Sequence, residues 1–406
     1  MLGKELRWSV FAVIFAFASV VASVVASEPE VELGIEWRGF AEPGVYGQDQ
    51  SRFSARGELG YDGAMLSGDY ELLLFGRYDV HDDERTHLDL REASWVYVGD
   101  EWSLKGGVSK EFWGVTESLH LVDIINQTDG VEAVDDEDKL GQPMLKLASE
   151  KEWGTISLFW LPYFRERSYP SLDGRLALPF EVRADEAQFE SGAENKHQDV
   201  ALRYAHYIDE LEFALAHFSG TARDPLLVFN NNPLDPAFIP FYQQIDQTSL
   251  EAQYIYDSWL LKLEALTNKG LGDRYAAAVA GFEYTQVGIF ESYADLGWII
   301  EYLFDERKND VSVIFEDDVF IGWRYAFNDA DSSEILFGGI FDTHTDERIY
   351  SLEASQRISS DLKVFVEAWM FEGLPRLTPT SGLDSDKKTQ FLQTEDFIQL
   401  ELVKYF

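Results

Sequence analysis

The side chains with most chemical capacity crowd into one stretch, Val115 to Gln142. Within it stand Asp123, Asp129, Glu132, Asp135, Asp136, Glu137 and Asp138. Carboxylates at this density attract cations, and several together can ligate calcium. The run Asp135 to Asp138 has no glycine where a calcium loop makes its sharp turn, so the preferred reading is general cation attraction, with no metal site expected. A complementary set lies earlier in the chain: Arg38, Arg52, Arg56, Arg77 and Arg91. An acidic segment facing a basic wall sets up a transverse field that sorts polar solutes by charge and dipole. The alternative is a solvated acidic loop, with the arginines pairing locally to Glu36, Glu58, Glu71 and Asp89. Both readings stay open.

Catalytic constellations are absent from the pattern. The histidines are His81, His87, His120, His197, His206, His217 and His344. His120 follows Ser118 closely, but two neighbours in a loop make no triad without a third group. There is no phosphate-cradling glycine loop and no zinc-protease helix motif. With no cysteine there is no thiolate for catalysis or metal binding. The chain is read as non-enzymatic and without cofactor; a membrane-bound lipase or protease assembled from scattered loops is the remaining enzymatic alternative.

Such groups need elements to position them, and the chain repeats one kind. Val31, Leu33, Ile35 and Trp37 alternate with Glu32, Glu36 and Arg38; Phe53, Ala55, Gly57, Leu59 and Tyr61 alternate with Arg52, Ser54, Arg56 and Glu58. On a strand each set takes its own face. Segments of this kind fall near 31–41, 50–61, 69–79, 87–98, 102–112, 143–150, 154–162, 199–208, 210–219, 248–257, 259–268, 274–286, 294–304, 315–327, 333–343, 347–357, 361–371 and 395–406. Many are longer than the roughly five or six residues of a globular strand. Tight turns are expected at Asp62-Gly63-Ala64, Gly99-Asp100-Glu101, Ile208-Asp209-Glu210, Asp257-Ser258, Asn328-Asp329-Ala330-Asp331 and Ser359-Ser360-Asp361. The complementary connections are often long: 113–142, 163–198, 220–247 and 372–394. Short turns at one end and long loops at the other are the mark of an outer-membrane barrel. The fold expected is all-β: a transmembrane antiparallel up-and-down β-barrel of about eighteen strands, with sixteen as the alternative.

Two end signals fit. Lys4 and Arg7 precede an apolar run from Trp8 to Ala26, and Val24-Val25-Ala26 suits signal-peptide cleavage. Residues 1–26 are therefore read as a signal peptide, against an uncleaved anchor, and 27–406 as the barrel. With the first strand so close to the cut there is no room for an N-terminal plug domain. At the other end Ile398, Leu400 and Leu402 alternate toward a terminal Phe406, a pattern that resembles the signal read by the barrel-assembly machinery. Net charge is −40; removing Lys4, Arg7 and Glu5 leaves −40 − (+1) = −41, which excludes nucleic acid as a partner. Aromatics make up 15%, which acidic loops plus aromatic membrane girdles would produce together. The partners expected are outer-membrane lipid and lipopolysaccharide, the assembly machinery and a small solute; the oligomeric state is left open.

The run Leu88-Asp89-Leu90-Arg91-Glu92-Ala93-Ser94-Trp95, followed by a Gly-containing segment from Trp102 to Trp113-Gly114, resembles porin-like families that include alginate-export-like and phosphate-selective-type barrels. It is most similar to a related uncharacterised group, in which Trp-Gly is followed by Asp, Asn-Pro and Asp. Here Asp123, Asn126 and Asp129 take those places, with Gln127 where proline stands in that pattern. Leu161-Pro162-Tyr163-Phe164, Pro170 and Arg175 extend the likeness, which covers about a quarter of the chain. It implies a barrel and passive or assisted transport, and it names no substrate.

The function expected is an outer-membrane channel for small solutes, constricted by the acidic third loop. The alternative is a conduit or docking partner for hydrophobic molecules. That alternative rests on the apolar stretch 224–247, with Leu226, Leu227, Val228, Phe229, Phe238, Ile239, Phe241 and Tyr242, which either folds inward, forms a greasy entrance or packs on its neighbours.

Overall fold

The computed structural model describes residues 25–26, 28–132, 134–230, 232–308, 313–375 and 387–406. They form a closed antiparallel barrel of 18 strands. In chain order these are β1 Glu30–Phe40, β2 Ser51–Met65, β3 Gly68–Asp79, β4 His87–Val98, β5 Trp102–Ser109 and β6 Gln142–Lys151. Then follow β7 Gly154–Leu161, β8 Asp199–Ile208, β9 Leu211–Thr221, β10 Gln244–Tyr256, β11 Trp259–Lys269 and β12 Tyr275–Gln286. The last six are β13 Asp295–Asp305, β14 Asp317–Ala326, β15 Glu334–Asp342, β16 Arg348–Ser359, β17 Leu362–Glu372 and β18 Phe397–Tyr405. Each strand pairs with its sequence neighbours, and β1 closes on β18 from Glu32↔Tyr405 to Phe40↔Phe397. The expected signal segment lies outside the described residues except for Val25–Ala26, whose backbone pairs with Ala64 and Gly63.

The turns sort as the pattern predicted. β2–β3, β4–β5, β6–β7, β8–β9, β10–β11 and β16–β17 are joined by tight connections, and the long loops lie at the other end. One expected turn is misplaced. Asp62, Gly63 and Ala64 stay in the ladder, paired with Glu71, Tyr70 and Asp69, and the chain reverses at Leu66 and Ser67. Both have positive φ, 52° and 62°, the mirror-type turn that matches strand twist. The Trp95 indole donates to the Met65 carbonyl at 2.8 Å, bracing the reversal there. Gly68 leaves room for it, since a Cβ would lie 2.3 Å from the Val96 carbonyl oxygen and 2.8 Å from the Trp95 ring.

Inside and outside follow strand parity. Leu33, Ile35, Phe53, Leu59, Leu158, Trp160, Ile300, Leu400 and Leu402 are exposed, while Glu36, Arg38, Arg52, Ser54, Arg77 and Arg91 are buried. An apolar outside around a charged inside inverts the water-soluble arrangement and suits a lipid surround. Among the described residues no helix is long and apolar enough to cross a membrane.

The lumen is partly filled. Loop residues Trp113, Val122, Ile124 and Ile125 pack on inward-facing Met144, Phe159, Leu161, Ala201, Ala216, Phe218 and Ile245. Farther round, Leu119 and Leu121 pack on Val279, Ile299, Leu303 and Phe320. At the long-loop end, Leu226–Phe229 and Ala237–Tyr242 form a hairpin, and Glu181–Val182 and Gln188–Phe189 run parallel to it. The apolar stretch thus packs on its neighbours. Phe229 and Phe238 meet each other and Phe180, and Tyr242 meets Phe164 and Phe189.

Candidate functional site

The third long loop, 110–141, bonds to opposite parts of the wall. On the side of β1 to β4 the contacts are ionic. Asp129 Oδ2 accepts from Arg91 at 2.6 Å and lies 3.2 Å from His87 Nε2, while Ser168 donates to its Oδ1 at 2.6 Å. Glu132 accepts from Arg77 at 2.8 and 2.9 Å, and Arg38 donates to the Glu132 carbonyl at 3.0 Å. Glu36 lies beneath, within 3.1 Å of Arg38, 2.9 Å of Arg77 and 2.8 Å of Arg85. Arg85 also donates to the Val131 carbonyl at 2.9 Å and pairs with Asp79 at 3.0 Å. Each buried charge here has an opposite neighbour, the condition for keeping ions out of water.

On the side of β11 and β13 the loop is held largely through its backbone, with Lys262 also 3.6 Å from Glu117. Glu264 and Glu301, both 0% exposed, accept hydrogen bonds from the main chain of residues 115–118 and 122. The loop therefore reaches across the lumen.

Between the two anchorages lies the acidic arm. The Asp123 side chain is buried, accepts the Trp113 amide at 3.3 Å and lies 3.5 Å from Lys139. Burial pushes its carboxyl up against that cation. Among the described residues, Asp135 bonds within the loop, to the Glu137 amide at 3.0 Å. Its own burial, then Glu137, Glu367 and Glu353, raise its pKa well above the usual range. The last two are inward-facing cross-strand neighbours on β17 and β16. Asp136 pairs with Arg167. Glu137 meets His120 at 3.3 Å. That hydrogen bond holds the Glu137 carboxyl down; burial opposes protonation of His120, but Glu137 wins and raises its pKa. Asp138 contributes its carbonyl to the Asp129 amide at 2.7 Å; its side chain is exposed toward the lumen, and partial desolvation there, then Glu132, raises its pKa. For Asp129, burial alone would raise the pKa, yet His87, Arg91 and Ser168 drive it far below the usual carboxylate range.

Five arginines were anticipated, and they divide. Arg77 and Arg91 meet loop carboxylates, and Arg38 meets a loop carbonyl. Arg52 instead donates to the Asp173 carbonyl at 2.6 Å, and Arg56 pairs with Glu401 and Glu58 at 2.6 and 2.5 Å. Local pairing also occurs, at Arg38–Glu36 and Arg91–Asp89. His87, Asp129 and Glu132 bring three metal-ligand types together, but Arg91 and Arg77 already neutralise the two carboxylates. Phe406 donates its amide to the Val31 carbonyl at 2.9 Å, tying the end of the chain to the first strand.

Sequence reasoning missed Arg85, Glu264, Glu301 and Arg324, which pairs with Glu117 at 2.6 Å. Arg85 sits in a loop, where parity says nothing. Glu264 and Glu301 were findable as acids at inward parity on largely apolar strands. The resemblance motif maps onto the loop's internal stitching. The Asn126 amide group donates to the Ser109 and Leu140 carbonyls at 2.9 Å each, and its oxygen accepts the Glu111 amide at 2.8 Å. Arg175 holds Glu395 at 2.9 Å.

No family model matches the chain, and no curated protein matches it. Among solved structures it is similar to OccD3 (OpdP) of Pseudomonas aeruginosa, with TM-score 0.51 and 10% identity over 94% of this chain and 91% of that one. It is also similar to OpdQ of the same organism, at TM-score 0.49 and 14% identity over 94% and 96%. At these identities the likeness to OccD3 shows the barrel fold alone.

Proposed function

We propose that the protein is an outer-membrane channel for small solutes, with cations favoured, and that solutes pass beside the acidic arm of the third loop. The observation that carries this is the loop's placement. It is bonded to both sides of the lumen, with Asp135 near Glu353 and Glu367 of the wall. A barrel of about sixteen to eighteen strands encloses an aqueous lumen, and the apolar outer face supports a membrane setting. The resemblance in the sequence to porin-like barrels points the same way but leaves the cargo open, and no catalytic role is assigned. The hydrophobic-conduit alternative has less support, because Phe229, Phe238 and Tyr242 of 224–247 pack on one another or on Phe164, Phe180 and Phe189.

The test is conduction. Purified protein in a planar bilayer should pass current, and the reversal potential in a salt gradient should show cation preference. Replacing Glu353 and Glu367 by glutamine should reduce that preference. An absence of current, or anion preference, overturns the proposal. Sequencing the N-terminus of the mature protein should find Ser27 first; an intact Met1 would refute the signal-peptide reading.

A further inference from the structure

Two glutamates on the wall have no task in forming a barrel. Lumen-facing neighbours on β11 to β13 include Leu266, Ala277, Val279, Ile299 and Leu303, all buried and apolar. Glu264 and Glu301 interrupt that face, and both are fully buried. Among the described residues neither has a lysine, arginine or histidine at ion-pair distance. A buried carboxylate without a counter-cation is costly unless donors surround it. Here the loop supplies the donors. Glu264 Oε1 accepts from the Val115 amide at 2.6 Å, the Thr116 amide at 2.9 Å and the Thr116 hydroxyl at 2.6 Å, and its Oε2 accepts from the Val122 amide at 3.1 Å. Glu301 accepts from the Glu117 amide at 2.9 Å, the Ser118 amide at 2.8 Å and the Ser118 hydroxyl at 2.7 Å. Four consecutive loop residues are thus divided between two wall acids, in the manner of backbone nests that hold anions.

The surroundings fit both carboxylates. Gly114, with φ +144°, turns the chain into the first grip, and a Cβ there would lie 2.9 Å from Glu264 Oε1. Gly281 is the cross-strand partner of Glu301, and a Cβ there would lie 2.6 Å from Glu301 Cγ.

We infer that Glu264 and Glu301 are positioning residues that clamp residues 115–122 to the far wall and thereby set the largest solute the channel admits. The size limit rests on the channel reading above; the clamp does not. Removing the clamp loosens the segment, leaving the Arg324–Glu117 pair and the packing of Leu119 and Leu121 to hold it, and widens the passage beside it.

The experiment uses the whole protein in detergent and in lipid. Glu264→Ala, Glu301→Ala and their glutamine counterparts are compared with Thr116→Val/Ser118→Ala, which removes two loop hydroxyls and leaves the wall untouched if the alanine variants fail to fold. Amide exchange at residues 115–118 and 122 should be slow in the wild type and rise about a hundredfold in the alanine variants, with smaller rises for glutamine and for the loop variant. Conductance should rise about twofold, and the sugar-size limit in liposome swelling should move upward. Unchanged exchange overturns the clamp. Faster exchange with unchanged conductance and size limit overturns its role in sizing. A wild type that passes no current, with exchange responding as expected, overturns the channel reading and leaves the clamp standing.

Discussion

At the residue scale the barrel interior is a set of charges that need one another. Arg77 and Glu132 are both nearly inaccessible, and Glu36, Arg38 and Arg85 complete their shells. Removing one member strands another in a medium that solvates it poorly. Arg77→Ala or Glu132→Ala should therefore lower stability by about 3–5 kcal/mol, whereas the joint change to methionine and leucine should cost far less. Denaturant unfolding of the lipid-refolded protein measures both, and a single change costing no more than the joint one would contradict the penalty for a stranded charge. Arg38, Arg77 and Arg91 were legible because alternation gives the face of every strand residue. Arg85 was not, because its side chain leaves a loop whose path only the folded barrel defines.

At the element scale, the eighteen strands were legible nearly one by one, since period-two alternation survives wherever lipid lies on one side and charge on the other. The Asp62-Gly63-Ala64 reversal failed because a tertiary contact, the Trp95 indole on Met65, outweighed a local turn preference. The loop sheet was invisible beforehand, since its strands are two to six residues long and pair across separate loops. Tyr242 is its hub, fully buried between Phe164 and Phe189. Tyr242→Ala should destabilise that sheet by about 3–5 kcal/mol and speed proteolysis near 224–243 without disrupting the barrel; unchanged cleavage would contradict this. The acidic arm carries the pH dependence. His120, raised by Glu137, stabilises the arm fully below its unfolded value of about 6.5, and that support is lost as pH rises through its folded value. Asp135, raised by burial and its acidic neighbours, also gains its charge as pH rises. Both changes add net negative charge, so cation preference should strengthen from acid to alkaline pH. Reversal potentials across that range check it, and Asp135→Asn combined with His120→Gln should flatten the trend.

At the scale of the whole molecule, the chain carries a net charge of −40. Its influence on permeation depends on screening. The Debye length falls from about 10 Å at 0.1 M salt to about 3 Å at 1 M, so cation preference should weaken between those concentrations; a ratio independent of salt would place the selectivity wholly in short-range contacts. The third loop gives the cylinder a mechanical property as well. Gripped by arginines on one flank and by Glu264 and Glu301 on the other, it works as a crossbeam. The barrel cannot flatten or round without straining these bonds, so the shape of its cross-section and the position of the loop inside it are mechanically coupled.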